Sequence, residues 1–575
     1  MKNQEIAKIF NEIADLLEIK NDNPFRIRAY RKAAQNVESL SEDVTEIIKS
    51  GKKLTDIPGI GKDLAEKIIE YVNTGKVASH EELKAEIPRA LLDLMSVPGL
   101  GPKTAKLIYD KLDIDSIDKL EEAARSHKLQ QLPKIRQKTE ENILKGIEFL
   151  KKSRGRIPLG LAWPVACDIV KALSKLKEVK KIDTAGSLRR CKETIGDIDI
   201  LVVSDKPEKV MNAFTTLPVV SEVLAKGETK SSIRTKDNIQ VDIRVVDSKC
   251  YGAALAYFTG SKAHNIRLRE MAVKKGLKIS EYGVFDEKTN KFIAGAEEKD
   301  IYDAVGLPWI PSELREDTGE IEAALKGELP DLIETKHIKA DFHIHTKWSD
   351  GGNTIEEMVE AARRRGYSYI AITDHSRALG VAHGLDEKRI LEQIEVIRKL
   401  NAKIKDIKIL CGIEANIGMD GSLDLPVEIL KKLDIVVASV HSGFKQDRRT
   451  MTERVIKCLK SGLVDILGHP TGRLLGERDA YEIDMGEVLK VAKETGTAIE
   501  VNAYPLRLDL TDINCKRAKE IGVKIAVSTD SHFTDQLDYM SLGVSVARRG
   551  WLERADVINT LEFGELLATI KRRRN

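Results

Sequence analysis

Asp197 and Asp199 stand two residues apart in Gly196-Asp-Ile-Asp-Ile200, and a third carboxylate, Asp242, lies in Val241-Asp-Ile243. Both segments read as strands, and alternation along a strand turns the carboxylates of an i, i+2 pair to one side. Three carboxylates on one face repel one another unless cations neutralise them. Two divalent ions about 4 Å apart would do so while activating a hydroxyl and stabilising a leaving pyrophosphate. Upstream, Gly186-Ser187 offers a close-approach turn and a hydroxyl for a triphosphate, with Arg190 as counter-charge. An Asp-x-Asp pair alone is a common surface pattern; the full constellation is far more restrictive.

A second chemistry is written in histidine. Seven of the eleven histidines fall between 343 and 532: His343, His345, His375, His383, His441, His469 and His532. All but His383 end an apolar, strand-like run. They occur in Asp341-Phe-His-Ile-His-Thr346, Thr373-Asp-His375, Val440-His441, Gly468-His469 and Thr529-Asp-Ser-His532, with Glu414 ending Gly412-Ile-Glu414 in the same series. One such histidine would be a core residue. Six at matching strand ends, interleaved with carboxylates, call for metal. Imidazole and carboxylate without thiolate suit zinc, manganese or iron.

Such groups must be held by more than one core. At 575 residues the usual prior is roughly three to five domains. A composition of 42% hydrophobic and 32% charged residues is that of filled interiors under a hydrated surface. The formal net charge of +3 does not by itself announce a nucleic-acid partner, so any basic face must be local. The six cysteines form no Cys-x-x-Cys pair, which argues against a zinc ribbon or a disulfide framework. No apolar run approaches the roughly 20 residues a membrane span needs, and the N-terminus lacks a signal-peptide pattern. These features together predict a soluble, cytoplasmic protein with no membrane partner.

Residues 1–150 read as short helices, with apolar positions at helical spacing from Ile6 to Leu17. Within them Thr55-Asp-Ile-Pro-Gly-Ile-Gly-Lys62 is echoed by Met95-Ser-Val-Pro-Gly-Leu-Gly-Pro102. Glycines permit a tight turn between helices, and the amides at the next helix start can hold a phosphate. Two copies, with Lys62 and Lys67 or Lys103 and Lys106 following, predict contact with a DNA backbone through Gly59, Gly61, Lys62, Gly99, Gly101 and Lys103. Strand-like runs follow at Ile198–Val203 and Val241–Val246, and residues 316–337 read as a charged linker. Seven strand–helix repeats then start at Phe342, Tyr369, Ile407, Ile435, Val464, Ala498 and Val523. That alternation predicts a parallel barrel, with polar residues at the strand C-termini marking its active face.

The Gly-Ser, Asp-x-Asp and strand-borne Asp series resembles a nucleotidyltransferase palm, and Tyr257-Phe-Thr-Gly-Ser-Lys-Ala-His-Asn-Ile-Arg-Leu-Arg269 narrows it to the family X DNA polymerases. The resemblance spans residues 1–315 and includes Arg28–Ala34, both hairpins, Arg154–Pro158, Gly186–Arg190 and Asp242–Arg244. It implies that Asp197, Asp199 and Asp242 bind two catalytic magnesium or manganese ions. It implies triphosphate contacts from Arg156, Gly186, Ser187 and Arg190. Sugar and base contacts would come from Tyr257, Phe258, Gly260 and Asn265, with Arg269 near the template base and Arg244 at the DNA. Lys262 and Ile266 depart from the family pattern, and Lys262 could add a nucleotide contact. Lys67 falls at the family's Schiff-base lysine for 5′-deoxyribose-phosphate removal, although Arg26 and Asp63 replace neighbouring family lysines.

The histidine series similarly resembles the PHP (polymerase and histidinol phosphatase) family over about 338–570. That resemblance implies three divalent metals. His343, His345, Glu414 and Asp530 would hold one, Glu414, His441 and His469 a second, and Asp350, His375 and His532 a third. Water activated there would attack phosphorus while the ions hold the oxyanions. Asp374 is then a residue behind the ligands or the close of its strand, and His383 and Arg473 are candidate substrate contacts.

The expected organisation is a multidomain α+β and α/β chain. Residues 1–85 form a helical lyase-like DNA-binding domain with a helix-hairpin-helix, and 86–151 a second helix-hairpin-helix subdomain. The polymerase beta-like palm spans 152–248, a nucleotide and nascent-pair subdomain 249–315, a linker 316–337 and a distorted (βα)7 PHP barrel 338–575. The resemblances imply a monomeric DNA repair polymerase acting on gapped or nicked DNA and dNTPs. They also imply 3′–5′ exonuclease, 3′-end-processing or abasic-site endonuclease activity. A non-templated nucleotidyltransferase fused to a phosphatase would lack the paired hairpins and the Tyr257–Arg269 segment. A DNA-end scaffold with a silent site would lack at least one ligand, yet all twelve are present.

Overall fold

The computed structural model describes residues 2–38, 44–57, 59–95, 97, 100–133, 135–153, 156–377 and 382–574. Gly99, the prolines Pro58 and Pro98, and Arg154 lie outside the described residues. The chain divides into two compact units, Met1–Arg154 and Gly155–Asn575.

The first unit is helical, as the periodicity requires. Helix α1 (Lys2–Ile19) buries Ile6, Phe10, Ile13 and Leu17, and Phe10 meets Tyr30 edge-on at 5.6 Å. Helices α2 (Lys62–Thr74) and α3 (Pro102–Leu112) open at Gly61 and Gly101, whose extended backbones bring no capping side chain. The amides of Lys62 in α2 and of Lys103 in α3 therefore remain for an external acceptor, since Pro102 has no N–H and Thr104 N–H donates to the Gly101 carbonyl at 3.0 Å. Gly59 has φ +76°, and a Cβ there would lie 2.9 Å from Asn36 Nδ2.

In the second unit the palm is a five-stranded sheet of β1 (Lys181–Thr184), β2 (Ile198–Val203), β3 (Val220–Lys226), β4 (Lys230–Thr235) and β5 (Gln240–Val246), in spatial order β1-β2-β5-β4-β3. Strands β2 and β5 are parallel, in register from Ile198 opposite Val241 to Val203 opposite Val246. Their even and odd positions respectively, Ile198, Ile200 and Val202 with Val241, Ile243 and Val245, enter one core. The opposite face carries Leu201 and Val203 under helix α4 (Tyr251–Thr259). Helix α5 (Lys262–Lys274) and a three-stranded sheet complete the subdomain expected to bind nucleotide. The segment expected to be a linker is packed rather than extended. Ile321, Ala324 and Leu332 join that subdomain's core, and buried Glu320 bonds His264 at 2.7 Å.

All seven strands expected of the barrel form, and they lie in sequential parallel order. They are β6 (Ala340–Asp341), β7 (Tyr369–Ile372), β8 (Lys408–Asn416), β9 (Ile435–Ser439), β10 (Ile466–Leu467), β11 (Ala498–Asn502) and β12 (Ile525–Ser528). A bridge from Ile344 to Ser531 nearly closes the ring. Both faces of these strands are buried, which is why they read as unbroken apolar runs. Inward residues Ala340, Phe342, Tyr369, Ala371, Leu410, Ile435, Val437, Ile466, Ala498 and Ala526 fill the interior against Leu566 and Ile570 of the C-terminal helix. The first strand ends sooner than its sequence suggests. Beyond Asp341 the chain pairs with the segment after β12, His345 N–H donating to Ser531 O at 2.8 Å.

Candidate active sites

In the palm, strand parity and register act together. Asp199 and Asp242 are direct partners across the parallel pair β2–β5, on the face opposite the palm core. Asp197 precedes β2 by one residue. Burial, then the charges of Asp197 and Asp242, raise the Asp199 carboxyl to about 7, and burial and Asp242 raise Asp197 also. The nearest compensation is modest: Lys230 Nζ stands 3.7 Å from Asp242 Oδ2 and Gln240 bonds Asp242 at 3.1 Å. Carboxylates that repel at neutral pH fit a site built for divalent cations. Gly186, at φ +63°, packs so near that a Cβ would lie 2.3 Å from Asp199 Oδ2. No other residue fits that turn.

Around this face the residues expected to contact nucleotide differ in how far the protein already engages them. Ser187 follows Gly186 in the short helical turn Gly186–Arg189. Together with Arg156, Arg190 and Lys192 it lines a cleft of about 1010 Å³. Arg156 bonds the Thr194 hydroxyl at 3.0 Å and its carbonyl. Arg190 is held by Glu316 at 2.9 Å and by the Thr259 carbonyl, so part of its fork is spent within the protein. Tyr257 and Phe258 meet edge-on at 5.2 Å, and the Arg244 guanidinium stacks 4.6 Å over Phe258. Asn265 Nδ2 donates to the Tyr257 carbonyl at 2.7 Å. Gly260 has φ +70°, while Lys262 and Arg269 extend exposed from α5.

In the helical unit, Lys62 is exposed at the start of α2. Lys103 stands 73% exposed with Glu18 3.3 Å away. Lys106 instead donates to the Ile19 carbonyl at 2.8 Å. Lys67 pairs with Asp63 one turn earlier, its side chain only 14% exposed.

At the mouth of the barrel the inward parity that fills the interior continues into polar residues: Leu410, Gly412, Glu414 on β8, and Ala498, Glu500, Asn502 on β11. Gly412 and Gly468 leave room there, since a Cβ would lie 2.7 Å from Thr373 Cγ2 or 2.4 Å from Ser439 Oγ. All nine groups expected as ligands converge. Glu414 is the hub, with Oε1 at 3.2 Å from His441 and 3.0 Å from His469, and Oε2 at 3.4 Å from His343 and 2.7 Å from His375. Asp530 Oδ1 lies 3.1 Å from His345 and 3.7 Å from His343. Asp350 is 3.5 Å from both His375 and His532. By ligand-atom proximity His345 also joins the Asp350, His375 and His532 group, and His375 joins Glu414 and His441.

Several of these atoms are orphaned. His343 Nε2, both nitrogens of His345, His375 Nδ1 and Glu414 Oε2 are buried without a hydrogen bond, although His375 and Glu414 nearly touch. Buried polar atoms facing one another in that state fit a shared cation. Burial, with His532 and His375 alongside, pushes the His345 imidazole down to about 3, leaving it neutral with a lone pair to give. Burial alone would raise Glu414, but His375, His441 and His343 hold it well below the carboxylate range.

A second layer orients these groups, and sequence reasoning passed over most of it. Glu500 accepts from His343 Nδ1 at 2.8 Å and from the His469 amide at 2.6 Å. Asn502 donates to Asp530 at 3.0 Å, and Asn416 pairs with His441 Nδ1 at 2.7 Å. The available signal was Glu500-x-Asn502, a polar i, i+2 pair at a strand end. The Asp374 carboxylate gathers Thr346, Ser349 and Gln393, fixing the loop that carries Asp350, while its carbonyl accepts from the Glu414 amide at 3.1 Å. His383 is exposed. Arg473 is buried, its Nε donating to the carbonyl of Arg507 and its Nη2 to that of Leu508 and to Glu193.

Comparison with known proteins matches four segments in turn. Residues 1–77 match a helix-hairpin-helix domain and 91–148 a SAM-like helix-hairpin-helix tandem. Residues 254–316 match the DNA polymerase beta thumb and 341–504 the PHP domain. A segment of this chain is 35% identical over 246 residues to a probable phosphatase of Thermoanaerobacter sp. (strain X514), covering 41% of this chain and 95% of that protein. A probable phosphatase of Caldanaerobacter subterraneus subsp. tengcongensis is 36% identical over 206 residues, 33% of this chain and 75% of its own. The DNA polymerase/3′-5′ exonuclease PolX of Bacillus subtilis (strain 168) is 39% identical over 574 residues, 100% of both chains. With its hairpins, thumb and barrel in the same order along one full-length match, this chain belongs to the PolX family of DNA polymerases, family X enzymes that carry a PHP domain.

Proposed function

We infer that the chain fills short gaps in DNA repair by two-metal nucleotidyl transfer and trims 3′ ends with the 3′–5′ exonuclease of its PHP barrel. One observation carries this reading: a polymerase/exonuclease aligns along the whole of both chains, so one polypeptide holds both centres.

In the palm, Asp197, Asp199 and Asp242 would hold two magnesium or manganese ions, which activate the primer hydroxyl and screen the triphosphate. The reaction joins the primer 3′ oxygen to the α-phosphorus and releases pyrophosphate. Gly186 lets the backbone approach, Ser187 and Arg156 meet the phosphates, and Arg190 supplies the remainder of its fork. Tyr257, Phe258, Gly260 and Asn265 form the sugar and base wall, Lys262 adds a cation at its rim, and Arg269 and Arg244 face the nascent pair and DNA. Gly59, Gly61, Lys62, Gly99, Gly101 and Lys103 hold the DNA backbone on either hairpin.

In the barrel, up to three zinc, manganese or iron ions would be held by His343, His345, Asp350, His375, Glu414, His441, His469, Asp530 and His532, and would activate water and neutralise phosphate oxygens. Glu500 and Asn416 fix the tautomers of His343 and His441. Abasic-site endonuclease and 3′-phosphatase activity are further outlets of the same centre. A monomer is the form expected. Lyase chemistry at Lys67 requires the amine to leave Asp63; borohydride trapping on an incised abasic substrate, lost in Lys67→Ala, is its test.

The two centres are separated by mutation. Asp197→Ala with Asp199→Ala should abolish gap filling and spare the exonuclease, and His343→Ala should do the reverse. Loss of both activities from either change would refute independent centres. Metal content of the purified protein, measured with and without chelation, identifies the barrel ions.

A further inference from the structure

The loop following β11, Ala503–Asp509, lies beside the barrel's ligand cluster, where Arg507 approaches Asp530. Its base is closed by backbone hydrogen bonds between Asn502 and Asp509 in both directions. Leu508 adopts φ +41°, a left-handed conformation that a leucine rarely takes. Arg507 points from this loop to the metal ligands, its Nε 3.5 Å from Asp530 Oδ2. That distance is too long for a hydrogen bond, and the Arg507 guanidinium makes none among the described residues. Its fork is therefore available. The Asp530 carboxylate beside it also faces His343 and His345, so the unspent fork and the centre share one flanking anion, and a phosphodiester oxygen is a further anion that both could hold.

What holds the loop belongs partly to the palm. Buried Arg473 donates to the Arg507 carbonyl at 2.9 Å and to the Leu508 carbonyl, and its Nη2 meets Glu193 Oε2 at 2.8 Å. Glu193 sits between the Gly186–Arg189 turn and Asp197, and its own carbonyl accepts from Leu159 N–H at 2.9 Å. Nearby, Gly160 packs so tightly on Pro505 that a Cβ would come within 2.4 Å of it.

We propose that Arg507 grips a non-bridging oxygen of the scissile phosphodiester, and that the palm residue Glu193, acting through Arg473, is a positioning residue for it. The proposal rests on the barrel being the exonuclease. In that reaction water bonds to phosphorus, the P–O3′ bond breaks and the leaving 3′ oxygen takes up a proton. Arg507 donates hydrogen bonds throughout and exchanges no proton.

The test uses the full-length, manganese-loaded protein with a single-stranded oligonucleotide. Arg507→Ala should lower exonuclease kcat/KM by about 10²-fold. Arg507→Lys, which keeps charge but loses the fork, should fall between. Binding of 5′-dAMP by calorimetry, in the Asp197→Ala/Asp199→Ala background, should weaken about tenfold with Arg507→Ala. Glu193→Ala should lower exonuclease kcat/KM by several-fold and speed amide exchange across 503–509, yet add nothing when Arg507 is already Ala. Arg507→Ala and Arg507→Lys both within twofold of wild type, in activity and in 5′-dAMP affinity, would overturn the phosphate grip. An equal loss from Glu193→Ala with and without Arg507 would overturn the positioning link. Exonuclease that survives His343→Ala would instead remove the reading on which the proposal rests.

Discussion

Asp199 is the residue on which the palm spends most stability. Its carboxyl, raised from 3.8 to about 7 by burial and by Asp197 and Asp242, favours the protonated form in the folded, metal-free chain. The folded state then binds more protons than the unfolded, so stability falls as pH rises from about 4 to 7 and the loss is complete above that. Some three pH units at about 1.4 kcal/mol each put the ceiling near 4 kcal/mol. Asp199→Asn should therefore raise the melting temperature of the chelated protein by several degrees at pH 8, and by much less at pH 5, while abolishing gap filling. Saturating magnesium should erase the difference or reverse its sign. A variant that is no more stable than wild type in chelator at pH 8 would show that the three carboxylates do not repel as their geometry demands. The residue types at both centres were legible in the sequence, because spacing two apart and strand-end placement are local signals. The partners of those residues were not. Glu500 meets His343 across 157 positions, and Arg473 is occupied by two backbone carbonyls and by Glu193 of a distant segment, which no local side-chain pattern announces.

Elements were legible to the extent that burial is uniform along them. All seven barrel strands were expected because both faces are covered, and continuous apolar runs followed. The early end of β6 was hidden, since the partner of His345 N–H is Ser531, on the far side of the ring closure. The packed state of 316–337 was hidden for a similar reason. A charged segment looks like a tether until Glu320 is seen to be buried on His264. At the hairpins the sequence repeat marked two helices whose N-termini carry no capping side chain, which leaves amides and the exposed Lys62 and Lys103 for phosphates. Lys62→Ala and Lys103→Ala should each weaken DNA binding and reduce the slope of log Kd against log salt by about 1. Lys106→Ala should leave that slope unchanged, because its ammonium is held by the Ile19 carbonyl. Fluorescence anisotropy on gapped duplex across a salt series distinguishes the three. An unchanged slope for both Lys62 and Lys103 would remove the hairpins from the DNA interface.

The whole molecule forms two compact units, and the boundary does not follow the chemistry. One hydrophobic cluster runs from the palm, through Leu159, Ile198 and Ile243, into the barrel, through Ile344, Val436 and Val527. Arg549 of the barrel bonds the Arg190 carbonyl at 2.7 Å and Glu316 at 3.0 Å, and Arg548 reaches Glu313. Elements that share a core and a buried ion network unfold together. Calorimetry should therefore resolve two transitions, one for Met1–Arg154 and one for Gly155–Asn575, with palm and barrel melting in the second. Manganese binds only folded sites, so it should raise the second transition and leave the first unmoved. At a hundredfold excess over Kd the gain is about 2.7 kcal/mol per site. His343→Ala should remove the barrel's share of that shift, and Asp199→Asn the palm's, each reported by the same transition. Separate melting of the palm and the barrel, each following its own metal, would mean that the shared core does not couple them.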